Sequence, residues 1–329
     1  MLSKKTLLAI VVPIFFYISQ ISEAQQSDKC VAIVTGLSGD VLIKRAGDSG
    51  FLKTSWGAQL FSGDQIKTSS KSEATLAFSN NSIIRLGMNS QITISGDEPS
   101  PGKTAGNVKM ASAGMMISLS EVISKKEYAK DEGAIAGVRS VNDASPIELV
   151  SPVNTNLKSL RPSFSWSTGE SYSGFVITLY NSNGPVWSRK VTKNTLSYPE
   201  NEKELENGMA YFWNVEGEAL IDTEKSASRR FAILTAEKSK EVAGQEEIIR
   251  SAFKDEKESS SFHSLLGAYY INQGLLLDAL NEFRMVAEMN ADASMPHEIL
   301  GSIYSTLGNK DKAIEELKMA LLLSKSREN

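Results

Sequence analysis

The sequence predicts a multidomain β-plus-α protein, two all-β units followed by α-helical repeats. Three observations carry that prediction. Through the first two thirds of the chain, apolar residues recur at alternate positions in short segments broken by Gly, Ser, Asn and Asp, the pattern of half-buried strands. From about residue 235 the spacing becomes helical, and Pro296 is the one proline in that stretch. There, residues 260–293 and 294–327 align without a gap at a period of 34. A length of 329 residues accommodates two or three cores. The fractions of hydrophobic (41%) and charged (22%) residues are those of a globular protein.

At the N-terminus, Lys4 and Lys5 precede an apolar run, Leu7–Ile18, interrupted only by Pro13. That is the length of a signal-peptide core and short of the ~20 residues a membrane-spanning helix needs. Ser22 and Ala24 are small residues at the positions a signal peptidase reads. Residues 1–24 therefore read as a signal peptide cleaved after Ala24, and the protein as exported to the periplasm or cell surface. An uncleaved N-terminal membrane anchor is the alternative. Cys30 is the single cysteine, which excludes a disulfide within the chain. Asp28 and Lys29 before it are unlike the small apolar residues of a lipoprotein signal. Cys30 reads as the small apolar opening of a strand over 30–34.

Residues 28–145 form the first β unit, with alternation at Val41/Ile43, Ala74/Leu76/Phe78, Ile84/Leu86 and Ile92/Ile94. Residues 146–234 form the second, with seven strand segments expected at 147–150, 162–167, 174–180, 186–190, 194–198, 210–217 and 228–234. Seven short strands in about 90 residues suit a β-sandwich. Trp166, Trp187 and Trp213 supply the large core side chains that a small sandwich needs. Residues 235–259 read as a capping helix and linker, in which Val242, Ile248, Ile249, Ala252 and Phe253 fall at helical spacing.

In the repeats nine positions are identical, among them His263/His297, Gly267/Gly301, Tyr270/Tyr304, Ala279/Ala313 and Glu282/Glu316. About two would be expected by chance. The spacing Leu266-Gly267-x-x-Tyr270, then Gly274, Ala279 and Phe283, resembles the tetratricopeptide repeat. The first β unit resembles the FecR domain, a periplasmic module of bacterial regulators. The likeness runs through Gly39-Asp40-Val41, Gly57-x-x-Leu60-x-x-Gly63-Asp64-x-Ile66-x-Thr68, Ser72-x-Ala74-x-Leu76-x-Phe78, Asn81-Ser82-x-Ile84-Arg85-Leu86 and Ser90-x-Ile92-x-Ile94. It closes on Ala136-Gly137-Val138-Arg139, with Ser140 where glycine is usual. The resemblance implies an envelope interaction domain without catalysis. Gly63-Asp64 also has a plain account as a tight turn capped by a carboxylate. The second β unit is similar to fibronectin type III and immunoglobulin-like modules through Trp166 and Leu205-x-x-Gly208-x-x-Tyr211.

Chemistry is sparse in this sequence. Lys and Arg number 35 against 39 Asp and Glu, a net charge of -4, which offers no footprint for nucleic acid. The two histidines, His263 and His297, are confined to the repeats, so a Ser–His–Asp constellation would need the helical part to fold over a β unit. Half-buried packing is the natural account of both, since a two-histidine metal site would need carboxylates beside each. No phosphate-binding glycine loop is present, and no catalytic residue, cofactor or metal is assigned.

The helical repeats offer the candidate site. The first helix of each pair in such repeats lines a groove, and here the inward positions are Ser264, Ala268, Ile271, Asn272, Glu298, Ser302, Ser305 and Thr306. Their surface would be small, polar and uncharged apart from Glu298. Ala320–Leu323 should leave apolar surface on the last helix, to be covered by the sandwich or by another chain, self-association being one form of that. The expected function is a non-enzymatic envelope scaffold that recognises protein partners through its repeats. A module binding cell-wall or surface glycan (peptidoglycan included) through the β units is the alternative, and an exposed Trp56 or Trp187 would favour it. An envelope hydrolase would require a carboxylate pair in a cleft between domains.

Overall fold

Strand order and burial follow from the alternation in the sequence, and the helices from the repeat. The computed structural model describes residues 30–80, 82–96, 98–101, 108–112, 146–219, 223–254, 256 and 258–328. The signal-type segment 1–24 and the Ala136–Arg139 stretch lie outside the described residues.

Ten strands make the first region: β1 (Ala32–Ser38), β2 (Val41–Lys44), β3 (Leu52–Lys53), β4 (Gln59–Leu60), β5 (Gln65–Thr68), β6 (Glu73–Phe78), β7 (Ser82–Leu86), β8 (Gln91–Ser95), β9 (Glu98–Pro101) and β10 (Val108–Ser112). They form two five-stranded sheets, β10-β7-β6-β1-β4 and β3-β2-β5-β8-β9. Between them lies a core that includes Val41, Ile43, Ala74, Leu76, Phe78, Ile84, Leu86, Ile92 and Ile94, the alternate residues read from the sequence, joined by Val34, Leu60 and Ile66. Strand pairing opens at Ala32, so Cys30 precedes the strand it was expected to begin. Its half-buried thiol packs against the helical core.

The middle region has nine strands: β11 (Ile147–Ser151), β12 (Thr155–Leu157), β13 (Ser163–Thr168), β14 (Gly174–Asn181), β15 (Gly184–Val191), β16 (Thr195–Ser197), β17 (Ala210–Glu218), β18 (Thr223–Lys225) and β19 (Arg229–Ile233). The sheets run β11-β13-β16 and β12-β19-β17-β14-β15, with β18 beside β17. Seven strands were expected and form; β12 and β18, three residues each, are additional. Trp166, Trp213, Phe164 and Phe231 meet edge to face at centroid distances of 5.0–6.5 Å. The Glu206 backbone N–H donates to the Tyr211 hydroxyl at 2.9 Å, pinning the turn that enters β17.

Five helices follow: α1 (Ala236–Ala252), α2 (Ser260–Asn272), α3 (Leu276–Met289), α4 (Ser294–Thr306) and α5 (Lys310–Glu328). Thr235 and Ser259 cap α1 and α2 by accepting the backbone N–H groups of Lys238 and Phe262. Val242, Ile249 and Phe253 bury the inner face of α1 against the first repeat, as the spacing predicts, whereas Ile248 stays exposed. A Cβ on Gly267 would stand 2.9 Å from the Phe283 ring and one on Gly301 2.7 Å from Leu317. The same close approach of paired helices therefore recurs at positions 34 residues apart.

The parts are not beads on a string. The core of the helical region takes in Ile33, Trp56, Ala77 and Ile83 from the first β region. Leu277 packs against both the helical and the middle cores. The α2–α3 turn docks on β12: Asn156 donates its backbone N–H to Gly274 O at 2.8 Å and its side-chain amide to Gln273 O at 2.9 Å. Thr155 Oγ1 accepts the Leu276 N–H at 3.0 Å. Just beyond β12, Lys158 Nζ bridges Glu246 of α1 and Asp278 of α3, each at 2.9 Å. The Tyr270 hydroxyl donates to the same Glu246 at 2.7 Å.

That junction gives stability a pH dependence. Burial and then the bond to Glu246 push the Tyr270 hydroxyl well above its ordinary range. Burial lowers the Lys158 ammonium, but the bonds to Glu246 and Asp278 outweigh it and leave its pKa raised. Groups raised on folding contribute fully below their unfolded pKa, and the contribution erodes as pH rises through the folded one. Urea melts should therefore lose stability above about pH 10. Tyr270→Phe should cost about 1.5–3 kcal/mol at neutral pH and flatten the alkaline loss; an unchanged alkaline slope would contradict the assignment.

Candidate functional site

The inward face of the repeats is set by the first helix of each pair, α2 and α4. Sequence spacing puts Ser264, Ala268, Ile271 and Asn272 on α2 and Glu298, Ser302, Ser305 and Thr306 on α4. The structure divides this set. Ser264, Ala268 and Ile271 are buried, so the first half of the expected groove is not open. It is filled by the chain's own first β region.

The filling is specific. The outer face of the β7-β6-β1 sheet carries Ile33, Ala77 and Ile83, whose neighbours Ile84, Leu76 and Val34 point the other way into the sandwich core. Both faces of this sheet are thus covered. Thr35 Oγ1 donates to Ser261 Oγ at 3.2 Å. Trp56 Nε1 donates to the Thr35 carbonyl at 2.9 Å and to Ser264 Oγ at 3.2 Å. At Gly36 a Cβ would stand 2.5 Å from Ser261 Oγ, so α2 lies directly on the backbone of β1.

What remains of the groove belongs to the second repeat. Glu298 and Ser305 are exposed, Ser302 and Thr306 half-buried. Thr306 Oγ1 is turned back to the Ser302 carbonyl at 3.0 Å, and the Thr306 carbonyl accepts the Asn154 side-chain amide at 3.1 Å. Asn272 is exposed at the end of α2. A strip around Glu298, Ser302 and Ser305 is the accessible part, narrower than the eight-residue groove expected.

The histidines have a structural task that sequence spacing missed. His263 Nδ1 lies 2.6 Å from Glu282 Oε2, and His297 Nδ1 lies 2.7 Å from Glu316 Oε2. Each pair joins the first helix of a repeat to the second. Each histidine does have a carboxylate beside it, but the pairs sit one repeat apart, and no group of three or more metal-type ligands occurs among the described residues. The signal was present: histidine and glutamate are both repeat-identical at a 19-residue spacing across one helical hairpin.

Asp64 is 2% exposed. Its Oδ2 accepts the Phe61 N–H at 3.0 Å and pairs with Arg45 at 2.6 Å, while Oδ1 accepts the Ala46 N–H at 3.0 Å. A carboxylate so engaged ties two loops together and has little capacity left for a ligand. All four tryptophans are buried, Trp56 and Trp187 included, which leaves no tryptophan face for sugar stacking. No helix among the described residues is long and apolar enough to cross a membrane.

No family model matches the chain, and no curated protein matches it. Among solved structures it is similar to a β-1,2-glucanase from Parabacteroides distasonis, at 10% identity and a TM-score of 0.23. That alignment covers 90% of this chain and 58% of the glucanase, so the chain spans less than two thirds of that protein's length. It is also similar to a multi-domain immunophilin from Arabidopsis thaliana, at 11% identity and a TM-score of 0.21, covering 56% of this chain and 100% of the other. Likenesses this slight carry no argument about activity.

Removing either glutamate should strand an imidazole, buried at His263 and half-buried at His297. Glu282→Ala should cost about 1–3 kcal/mol in urea denaturation. Glu316→Ala should cost less, because His297 is the more exposed of the two histidines. The reverse order would contradict a structural role graded by burial.

Proposed function

We propose that this chain is an exported, non-enzymatic envelope protein that acts as a protein-interaction scaffold. We read its parts as a FecR-like β domain, a fibronectin-like sandwich and two tetratricopeptide-type repeats. The observation that carries the reading is the mounting of the repeats. Their first helix is fixed to one β region through Trp56 and Ser264, and their first turn to the other through Asn156 and Gly274. A helical hairpin held from two sides presents the next one in a defined position, which is what a docking platform requires.

Several features support this reading. Several polar groups join elements: Asp64 joins loops, His263 and His297 join helices, and Lys158 and Tyr270 join the sandwich to α1 and α3. The second sheet order, with β12 parallel to β19 and the Tyr211 bond at the turn, suits a fibronectin-like module. Burial of every tryptophan removes the feature that would have favoured glycan binding.

The partner is read by the strip left open on α4, Glu298, Ser302 and Ser305. The full chain, immobilised, should retain a discrete protein from detergent-solubilised envelope. Ser305→Arg and Glu298→Lys, both at exposed positions, should lower that retention about tenfold without changing the melting temperature. Retention of purified peptidoglycan instead, indifferent to both substitutions, would overturn the scaffold in favour of a wall-binding module.

A further inference from the structure

The rest of the chain treats the two sheets of the first β region differently. Helix α2 packs on β1 of one sheet, and no helix packs in the same way on β3-β2-β5-β8-β9 among the described elements. In this second sheet Ile43, Ile66 and Ile92 point into the core, so their neighbours along each strand face outward. Strand register sets Lys53, Leu42, Lys67 and Gln91 side by side in one outward row. The next row holds Lys44, Gln65 and Thr93. Phe51 leads into β3, and its ring gathers two of the lysines: Lys67 Nζ stands 3.9 Å and Lys44 Nζ 5.8 Å from its centroid. These side chains are half-buried apart from Lys53, which is exposed.

Charge on this face has one sign. The carboxylates at its margins are engaged: Asp64 pairs with Arg45 at 2.6 Å, and Asp40 faces Lys53 at 3.5 Å. Lys44 and Lys67 have no carboxylate partner among the described residues. On a chain of net charge -4, two unpaired ammonium groups therefore meet at one aromatic ring. The negative face of the ring offsets part of their mutual repulsion, and an anion set between them would offset the rest. The ring also restrains both stems, so binding there orders less side chain than it would on free lysines.

We propose that this face binds an acidic polysaccharide, its carboxylate or phosphate groups on Lys44 and Lys67 and its hydroxyls on the amides beside them. Lysines alone would suit any anion; the amides narrow the class, because hydroxyls both donate and accept. The bond from Gln91 Nε2 to Gln65 Oε1 at 3.3 Å leaves donors on Gln65 and an acceptor on Gln91. Four strands span about 14 Å, and the two rows lie about 7 Å apart, a flat field suited to a ribbon-like polymer. An acidic peptide would be drawn to the backbone donors of a sheet edge, whereas this is a side-chain face. An anionic membrane engages extended cations and projecting apolar side chains. Here both ammonium groups fold onto Phe51, and Leu42 is half-buried. Recognition by charge and amide needs no exposed tryptophan, and it stands independently of the protein recognition proposed for α4.

The test is retardation of the full chain in native gels cast with polygalacturonate or with phosphorylated dextran. At least one polymer should retard it, plain dextran should not, and added salt should weaken the effect. Lys44→Gln and Lys67→Gln should each weaken binding about tenfold, while Lys67→Arg keeps the charge and most of the affinity. Gln91→Ala should weaken it several-fold with no change of charge. Lys193→Gln removes one charge from an exposed position on the sandwich and should have no effect. Thermal melts of each variant separate lost binding from lost fold. A chain retarded by neither acidic polymer overturns the proposal, as does a loss of equal size from Lys193→Gln, which would reduce the effect to net charge. Binding of poly-L-glutamate as strong as that of the polysaccharides would reassign the face to an acidic protein segment. Stronger capture by phosphatidylglycerol vesicles would reassign it to a membrane.

Discussion

The architecture depends on covering the outer face of one β sheet. Strands β1, β6 and β7 are apolar on both sides: Val34, Leu76 and Ile84 fill the sandwich, and Ile33, Ala77 and Ile83 would meet water if α2 were absent. Neither partner is self-sufficient. Two helical repeats bury too little against each other to be stable alone, because each hides only one face on its neighbour. Seating α2 on the sheet solves both problems with one interface, and its polar bonds, Thr35 to Ser261 and Trp56 to Ser264, fix the register. Loss of apolar surface to water drives the docking, while the hydroxyl and indole bonds make one orientation better than its neighbours.

This arrangement inverts the usual geometry of a repeat groove. The inward face of the first repeat is spent on the protein's own sheet, so a ligand surface can only begin where that sheet ends. Arg85 marks one edge of the contact, stacking over Phe253 at 4.8 Å and bonding both Glu256 and the Ala252 carbonyl. Lys158 marks another, where sandwich, capping helix and repeat converge on Glu246 and Asp278. Between these points the helical hairpin is held against rotation, and the second repeat is carried as an outrigger.

Much of this was legible from residue pattern, and the misses have physical causes. Alternation at Val41/Ile43 or Ile92/Ile94 reports a strand with one buried face, and those strands form as read. The adjacent pairs Ile33-Val34 and Ile83-Ile84 carry the further message that both faces are covered. Strand periodicity, however, does not say by what. The long-range partner of Ser264 is Trp56, 208 residues away, and no local rule reaches that far. Hence the repeat register was readable while the accessibility of Ser264, Ala268 and Ile271 was not. The short strands β12 and β18 escaped because each is fixed by a long-range partner, β19 for β12 and β17 for β18, and not by a period of its own. The His–Glu pairs escaped because a repeat comparison scores positions singly, whereas the chemistry lies in the joint identity of two positions across a hairpin.

The difference between the repeats bears on what the molecule can do. Hairpins of one pattern placed in tandem would ordinarily be interchangeable, yet here the first is walled in by α1, β1 and β12, whereas the second meets the β regions more lightly, with Met295 beside Gly57 and Thr306 bonded to Asn154. Binding energy spent at the first repeat would have to displace an interface the fold itself needs. Energy spent at the second repeat costs the fold nothing, because Ile314, Leu321, Glu298 and Ser305 already face water. Selection acting on the tandem pair can therefore hold one copy to anchorage and leave the other to recognition. On that division, substitutions in α2 should register as changes in stability, and substitutions on the open face of α4 as changes in association.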